Sequence, residues 1–420
     1  MERLIMREND VVVIGGGLSG LMAAAVAAER GKKVMVLSLG SGTLTIGGGI
    51  VDVMGYGRGG IPVKSPSAGI DAVGMDHPYQ KIGRTAIENA VKTFKKICET
   101  EGYPYIGNLN ETQWVPTAAG TLKPTCMVPK TMGTYKLSKA DKVVVLGFEA
   151  LKDFYPHLIS KNLKDTPGYS EKTYEIVMID PELADGRDVT ALDVARWLDT
   201  EEGLKACIEK MRKVIKPGSV VIIPPVLGTR PSYRIADTMQ QALDCTFVET
   251  ASVPPSITGM RLRTMMLSYL KKLGVRIVEQ ASVAGSIVEN GRCTAVITAG
   301  IDRERTYYAK SFILANGGFY GGGLVAEPGE VIEPIFNLPV AAPTDHDLWA
   351  NSALFSNEPQ PFAKLGIEVD GKMNPIDVDG NVVVSNVFIA GRNLRGYDFC
   401  FEKSGNGVAL TSGYRAAMSV

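Results

Sequence analysis

Apolar positions along this chain fall into two patterns: short unbroken runs that stop at glycine, and longer alanine- or leucine-rich stretches. Asp10-Val11-Val12-Val13-Ile14 is a β-branched run of the first kind. It predicts a parallel strand covered on both faces, because a half-exposed strand would alternate. Gly15-Gly16-Gly17-Leu18-Ser19-Gly20 follows, and Leu21 to Arg30 is alanine-rich and closed by Gly31. Alanine favours helix and glycine favours its C-terminal stop. Lys33 to Leu37 then predicts a second strand, completing a strand–helix–strand unit.

The runs return later in the chain. Thr190 to Asp199 predicts an amphipathic helix, and Arg261 to Leu273 a helix followed by a strand over Val275 to Val278. Strands near Ala281–Val288 and Cys293–Thr298 flank Glu289-Asn290-Gly291-Arg292, whose Asn-Gly pair signals a tight hairpin. Ser311 to Ala315 runs into Asn316-Gly317-Gly318, and Asn386 to Ala390 runs into Gly391-Arg392. Ser404-Gly405-Asn406-Gly407 opens a helix over Val408 to Met418.

Glycine spacing adds chemistry to the pattern. Gly15, Gly17 and Gly20 form GxGxxG between a strand and a helix. In that setting the first glycine makes the turn, the second admits a pyrophosphate, and the third lets helix and strand pack closely. The helix N-terminus supplies N–H groups and positive dipole to the phosphate. Gly15, Gly16, Gly17, Leu18, Ser19 and Gly20 are therefore candidate cofactor ligands. The acid expected at the end of the second strand, which would accept a ribose hydroxyl, is Ser38 instead. Serine keeps a weaker version of that role and leaves the adenosine half of the ligand open. The loop that follows offers Ser41, Thr43, Thr45, Gly47, Gly48 and Gly49 to a ring or phosphate. Asn316, Gly317 and Gly318, then Gly391 and Arg392, then Gly405, Asn406, Gly407 and Val408 make up the later junctions.

Composition narrows the class. Of 420 residues, 45% are hydrophobic and 21% charged, which excludes a wholly disordered chain. Lysine and arginine balance aspartate and glutamate at 45 each, so no global basic field holds nucleic acid. Glycine, at 46 residues, is above the usual share of about 7%. The six cysteines, at 98, 126, 207, 245, 293 and 400, include no CxxC pair. That argues against a zinc or iron–sulfur site made by this chain alone. Val11 to Ala28 carries no charge, but its four glycines suit a strand, turn and helix better than a membrane span. Glu8, Asn9 and Asp10 stand where a signal peptide would carry basic residues, so the chain reads as cytoplasmic.

The expected architecture is α/β: a Rossmann-like FAD/NAD(P)-binding fold of the two-dinucleotide-binding-domain flavoproteins, with an inserted cap-like α+β domain. The flavin domain is expected over 1–125 and 246–420, with the insert over 126–245. Repeated strand-to-glycine junctions favour a flavin over a nicotinamide-only dehydrogenase, which needs only one. In such folds a C-terminal helix begins beside the pyrimidine end of the flavin, where its N–H groups favour negative charge on the ring; Gly405 to Val408 fits that position.

Several longer motifs carry a resemblance. GGGLSGLMAAAVAAERGKKVMVL (15–37), ILANGGF (313–319) and NVFIAG…GNGVALTSG near the C-terminus resemble the fumarate-reductase-like flavoprotein superfamily. Within it, GTLTIGGGIVDVMGY (42–56), IIPPVLG (222–228) and FVETASVPPSITGMRLR (247–263) resemble the B subunits of anaerobic glycerol-3-phosphate dehydrogenase. The resemblance implies oxidation of sn-glycerol 3-phosphate to dihydroxyacetone phosphate, with electrons passed towards quinone. It further implies FMN, with FAD as the alternative, and an A subunit containing FAD. A membrane-associated iron–sulfur C subunit would hold the complex at the inner face of the cell membrane.

Substrate oxidation needs a base for the C2 hydroxyl and a cation for the phosphate. Of three histidines, His346 lies in Thr344-Asp345-His346-Asp347, where carboxylates raise its basicity, and is the candidate base. Arg392 is the candidate catalytic cation, with Arg261 and Arg263 behind it. Two rivals stand beside this reading. One is an electron-transfer or structural flavin subunit with catalysis on a partner chain; the other is a fumarate-reductase-like FAD dehydrogenase acting on an organic acid.

Overall fold

A computed structural model describes residues 9–183, 186–251, 253–300, 304–353 and 358–420, so Glu8 lies outside the described residues. The chain divides into two compact units. One comprises Met1–Gly42, Asp52–Ile97 and Met266–Val420; the other comprises Thr43–Val51 and Cys98–Met265.

The first unit is built on a parallel sheet. Its opening strand β1 (Asn9–Ile14) leads into helix α1 (Leu18–Glu29) and strand β2 (Val34–Ser38). Arg276–Glu279 pairs outside β2, and Arg305–Leu314 pairs on the other side of β1, with Val387–Ile389 beyond it. All these pairings are parallel, and every residue of β2 is buried. An antiparallel extension, Ser282–Glu289 and Arg292–Ala299, joins the first half of the Arg305–Leu314 strand. Its hairpin has Asn290 and Gly291 both at positive φ (50° and 70°), the backbone that a two-residue turn of this hand requires.

Register decides where the strands end. Ile14 pairs with Leu37 and with Leu314, Leu314 pairs with Ile389, and Val278 pairs with Leu37. The carboxyl ends of five strands are therefore level, and the glycine junctions after β1, Arg305–Leu314 and Val387–Ile389 leave from one edge. In α1, Leu18 through Ala27 are all buried, so the helix is apolar on every side, as an interior helix must be.

The second unit has a four-stranded sheet in the order Thr246–Glu249, Val220–Ile223, Lys142–Phe148, Thr173–Ile179. Every pairing in it is parallel. Helices alternate with its strands because each parallel step needs a crossover. Two antiparallel ribbons accompany it, Tyr105–Gly107 with Met127–Pro129 and Gln113–Pro116 with Leu122–Thr125. Helix Ala191–Asp199 begins at a capping box in which Thr190 and Asp193 exchange side-chain and backbone hydrogen bonds.

A buried ion pair sits within this unit. Arg261 Nη1 and Nη2 donate to the two Glu249 oxygens at 2.8 and 3.0 Å, and both residues are essentially inaccessible to water. Arg261 Nε donates to the Gly228 carbonyl (2.8 Å), and Glu249 also accepts from Thr131 Oγ1 and the Leu227 N–H. Burial disfavours the guanidinium charge, but the Glu249 carboxylate and the Tyr103 hydroxyl outweigh it and hold the Arg261 pKa above its usual value. Burial pushes the Tyr103 hydroxyl up to about 12, with Arg261 opposing. Arg261 is thus committed to the core and does not serve as the anion ligand its sequence position suggested.

Arg261→Met is expected to cost about 3–5 kcal/mol, because it leaves Glu249 buried without a counter-charge. A urea-unfolding series checks this, and the double variant Arg261→Met/Glu249→Leu should recover most of the loss.

Candidate flavin site

The level strand ends bring the Gly15–Gly20, Asn316–Gly318 and Gly391 junctions together. Gly15 (φ 120°) lies so close to the adjoining junction that an added Cβ would collide with the Ala315 carbonyl. A Cβ on Gly20 would strike the Gly15 carbonyl, so Gly15 and Gly20 are required by packing of α1 on the sheet. Gly17 differs. Its backbone, at φ −80° and ψ −179°, suits any residue, and no atom lies within 4 Å of where its Cβ would stand. Nothing inside the described residues explains a glycine there. A bare backbone open on one side, at the first turn of a helix, is the cradle a pyrophosphate requires. α1 fits that role further: no side chain caps its N-terminus and no acidic residue lies in its first turn.

Neighbouring junctions close around this turn. Gly42 approaches the Gly17 Cα. Gly391 lies against the Ser19 side chain, and its N–H donates to Ser412 Oγ of the C-terminal helix Gly405–Ser419 (2.8 Å). Asn393 ties two junctions together: its Oδ1 accepts the Gly318 N–H (2.7 Å), and its Nδ2 donates to Asn316 Oδ1 (2.7 Å). Neither Asn393 nor Ser412 stood out in the sequence, although Asn393 lies within Gly391-Arg392-Asn393, directly after a junction already singled out.

Ser38 is buried at the end of β2, and its hydroxyl donates to the Gly40 carbonyl (2.7 Å). The only proton of this side chain is therefore used within the turn. Of the loop beyond it, Ser41 and Gly42 belong to the first unit, whereas Thr43 to Gly49 belong to the second. There the Thr45 carbonyl accepts the Ser256 N–H (2.9 Å) and the Gly48 carbonyl accepts from Thr258 Oγ1 (2.8 Å). A Cβ on Gly49 would collide with Thr258, so that glycine has a packing reason of its own. Gly47 N–H donates to the Thr43 carbonyl (2.9 Å), a turn within the loop.

The first turn of the C-terminal helix also departs from expectation. Gly407 packs against Val53, and its N–H donates to the Asp52 carbonyl (2.7 Å), so this donor is occupied. Just before it lies a hydrogen-bonded cluster that sequence patterns did not expose. Glu402 Oε2 accepts from Ser404 Oγ (2.9 Å) and faces His77 Nε2 (3.2 Å). Nδ1 of the buried His77 accepts the Tyr79 N–H (3.1 Å), which assigns the proton to Nε2 and makes it the donor to Glu402. His346 lies on the short 3-10 helix His346–Leu348, exposed and packed against Trp349 with ring centroids 4.6 Å apart. Among the described residues it makes no contact with a glycine junction.

Arg392 leaves the Gly391 junction, and its guanidinium lies over the Phe399 ring at 3.9 Å and the Tyr320 ring at 5.4 Å. Both contacts are of cation–π type.

A parallel sheet with level glycine junctions and an uncapped helix N-terminus beside them is the architecture of the dinucleotide-type flavoproteins. In agreement, the family described as FAD binding domain matches residues 10–408. Relatives match over nearly the whole chain. The B subunit of anaerobic glycerol-3-phosphate dehydrogenase from Vibrio cholerae serotype O1 (El Tor Inaba N16961) is 28% identical over 99% of this chain and 97% of its own. The corresponding B subunit of Aliivibrio fischeri (strain MJ11) is 28% identical over 98% and 95%. The probable B subunit of Halobacterium salinarum (strain ATCC 29341 / DSM 671 / R1) is 30% identical over 97% of each. The chain belongs to the family of anaerobic glycerol-3-phosphate dehydrogenase B subunits, within the FAD-binding-domain flavoproteins.

Gly17→Val is expected to leave folding and thermal stability unchanged while emptying the cradle. Flavin absorbance per chain after purification checks this, and a full flavin complement in the variant would place the phosphate elsewhere. Gly15→Val, in contrast, should lower the melting temperature even of protein stripped of flavin.

Proposed function

We propose that this chain is the flavin-bearing subunit of an anaerobic glycerol-3-phosphate dehydrogenase. In this reading it oxidises sn-glycerol 3-phosphate to dihydroxyacetone phosphate and passes electrons towards quinone. The observation that carries it is Gly17, a glycine that neither backbone strain nor packing accounts for, in a chain similar to the B subunits along nearly its whole length.

The first turn of α1 would hold the pyrophosphate through its backbone N–H groups, with Gly17 giving close approach. Gly391 and Asn393 would fix the neighbouring junctions, so that the edge keeps its shape when the ligand leaves. When bound, the flavin supplies a two-electron acceptor for the C2 hydrogen of the substrate. FAD is the form proposed, since the matching family is one described by FAD; the expected FMN has no support from that match. With its proton engaged by the Gly40 carbonyl, Ser38 Oγ is left to accept, so it would take a hydrogen bond from the adenosine ribose rather than give one.

The relatives are named as subunits, and A and C partners, the latter carrying iron–sulfur clusters at the membrane, are part of this proposal. Among the described residues no helix is long and apolar enough to cross a membrane, so attachment would come through a partner. A second reading, electron transfer here with substrate oxidation on a partner chain, is favoured by one observation. His346 lies exposed beside Trp349, and both ring nitrogens of His77 are engaged, leaving no free histidine base at the glycine edge among the described residues.

Purified alone, the chain is expected to release FAD on denaturation, identified by chromatography. Under anaerobic conditions sn-glycerol 3-phosphate should bleach the flavin bands. Bleaching by dithionite but not by the substrate would select the electron-transfer reading; bleaching reversed by a dicarboxylate instead would point to an organic acid.

A further inference from the structure

The cations near the glycine edge are not equivalent. Arg395 is paired with Glu368 (2.7 Å), and Lys403 Nζ donates to the Cys400 carbonyl (2.6 Å). Arg392 alone of these three has neither a carboxylate nor a carbonyl partner among the described residues; its neighbours are the Phe399 and Tyr320 rings. The carboxylates closest in sequence are already committed. Asp398 accepts the N–H groups of Cys400, Phe401 and Gln360, and Glu402 accepts from Ser404 beside His77. A half-buried guanidinium stacked on an aromatic face keeps its fork of donors directed outward in a fixed plane.

A second, independent observation lies beside it. The hydroxyl of Tyr397 is buried and has no hydrogen-bond partner among the described residues, a rare state for a polar atom that usually marks a missing ligand or ion. Burial raises the Tyr397 pKa, against the pull of the Arg392 guanidinium and with help from Glu402. The hydroxyl therefore stays protonated and is a donor, within electrostatic reach of Arg392. A fork of guanidinium donors that no carboxylate pairs with among the described residues, together with one hydroxyl donor, matches a phosphomonoester dianion, which offers three acceptor oxygens.

We propose that Arg392 anchors the phosphate of the substrate, held in plane by Phe399 and Tyr320, with the Tyr397 hydroxyl as a second donor. This rests on the reading that the substrate is a phosphorylated three-carbon polyol. It assigns the substrate phosphate and the flavin pyrophosphate to different donors: side chains after the Gly391 junction for the first, backbone of α1 for the second. Oxidation at C2 leaves the phosphomonoester unchanged, so the anchor serves substrate and product alike.

The test uses flavin-loaded protein and three variants: Arg392→Met, Arg392→Lys and Tyr397→Phe. Flavin per chain, melting temperature, and calorimetric binding of sn-glycerol 3-phosphate and of inorganic phosphate are measured on each. Arg392→Met should keep its flavin and bind sn-glycerol 3-phosphate about 100-fold more weakly, the scale of two lost charge-assisted hydrogen bonds. Arg392→Lys should fall between, and Tyr397→Phe should lose about tenfold. Unchanged binding in Arg392→Met overturns the proposal, as does loss of flavin from that variant, which would assign the guanidinium to the cofactor. Wild-type protein that binds neither phosphate compound also overturns it. If both bind in an Arg392-dependent way but sn-glycerol 3-phosphate never reduces the flavin, the anchor stands and the oxidation assigned to this chain falls.

Discussion

The close seating of α1 on its sheet is the constraint from which the flavin edge follows. A Cβ on Gly15 or Gly20 would occupy space that the Ala315 and Gly15 carbonyls already fill. Without that approach, the first turn of the helix would be held away from the ends of β1 and the Arg305–Leu314 strand. The parallel register then keeps the other junctions level with it. Two glycines are therefore needed to build the fold, and a third, Gly17, has no packing reason of its own and is the one we propose for the ligand. Sorting glycines by what a side chain would meet separates architecture from function at positions only two or three residues apart.

The second unit organises itself differently. Its parallel sheet surrounds an apolar core that includes Val143, Val145, Ile222 and Val248, while the Arg261–Glu249 pair is buried with its donors matched. Buried ion pairs add little net stability, but losing one partner is costly. The pair acts as a lock on one arrangement of Gly228, Leu227 and Thr131 rather than as a source of binding energy.

Much of the first unit was legible because its rules are local. The βαβ unit, the Asn290-Gly291 hairpin and the strand-to-glycine junctions each announce themselves within a short stretch of chain. The parallel character of the second sheet was not legible, since parallel pairing joins segments far apart in sequence and leaves no local signature. Site residues divide the same way. Gly15 to Gly20 and Gly391 follow from junction chemistry, whereas Asn393, Ser412 and the His77–Glu402 contact depend on tertiary proximity across as many as 325 positions. His346 had the better sequence argument, two flanking carboxylates, yet those carboxylates form an exposed turn in which Asp345 accepts the Asp347 N–H. Arg261 looked like an anion ligand because its motif follows a glycine; its partner, Glu249, was twelve residues earlier in the same motif.

The approaches of Gly391 and Gly413 to Ser19 join segments that are synthesised far apart in time. Domains generally fold as units while the chain is still being made. The main sheet of the second unit is drawn from residues 142–249 and can form while the ribosome is still translating. The glycine edge cannot: β1 and α1 emerge first and must wait until Gly413 has cleared the exit tunnel. The edge is therefore completed late, and a truncated message would yield a chain whose second sheet is sound but whose glycine edge stays open.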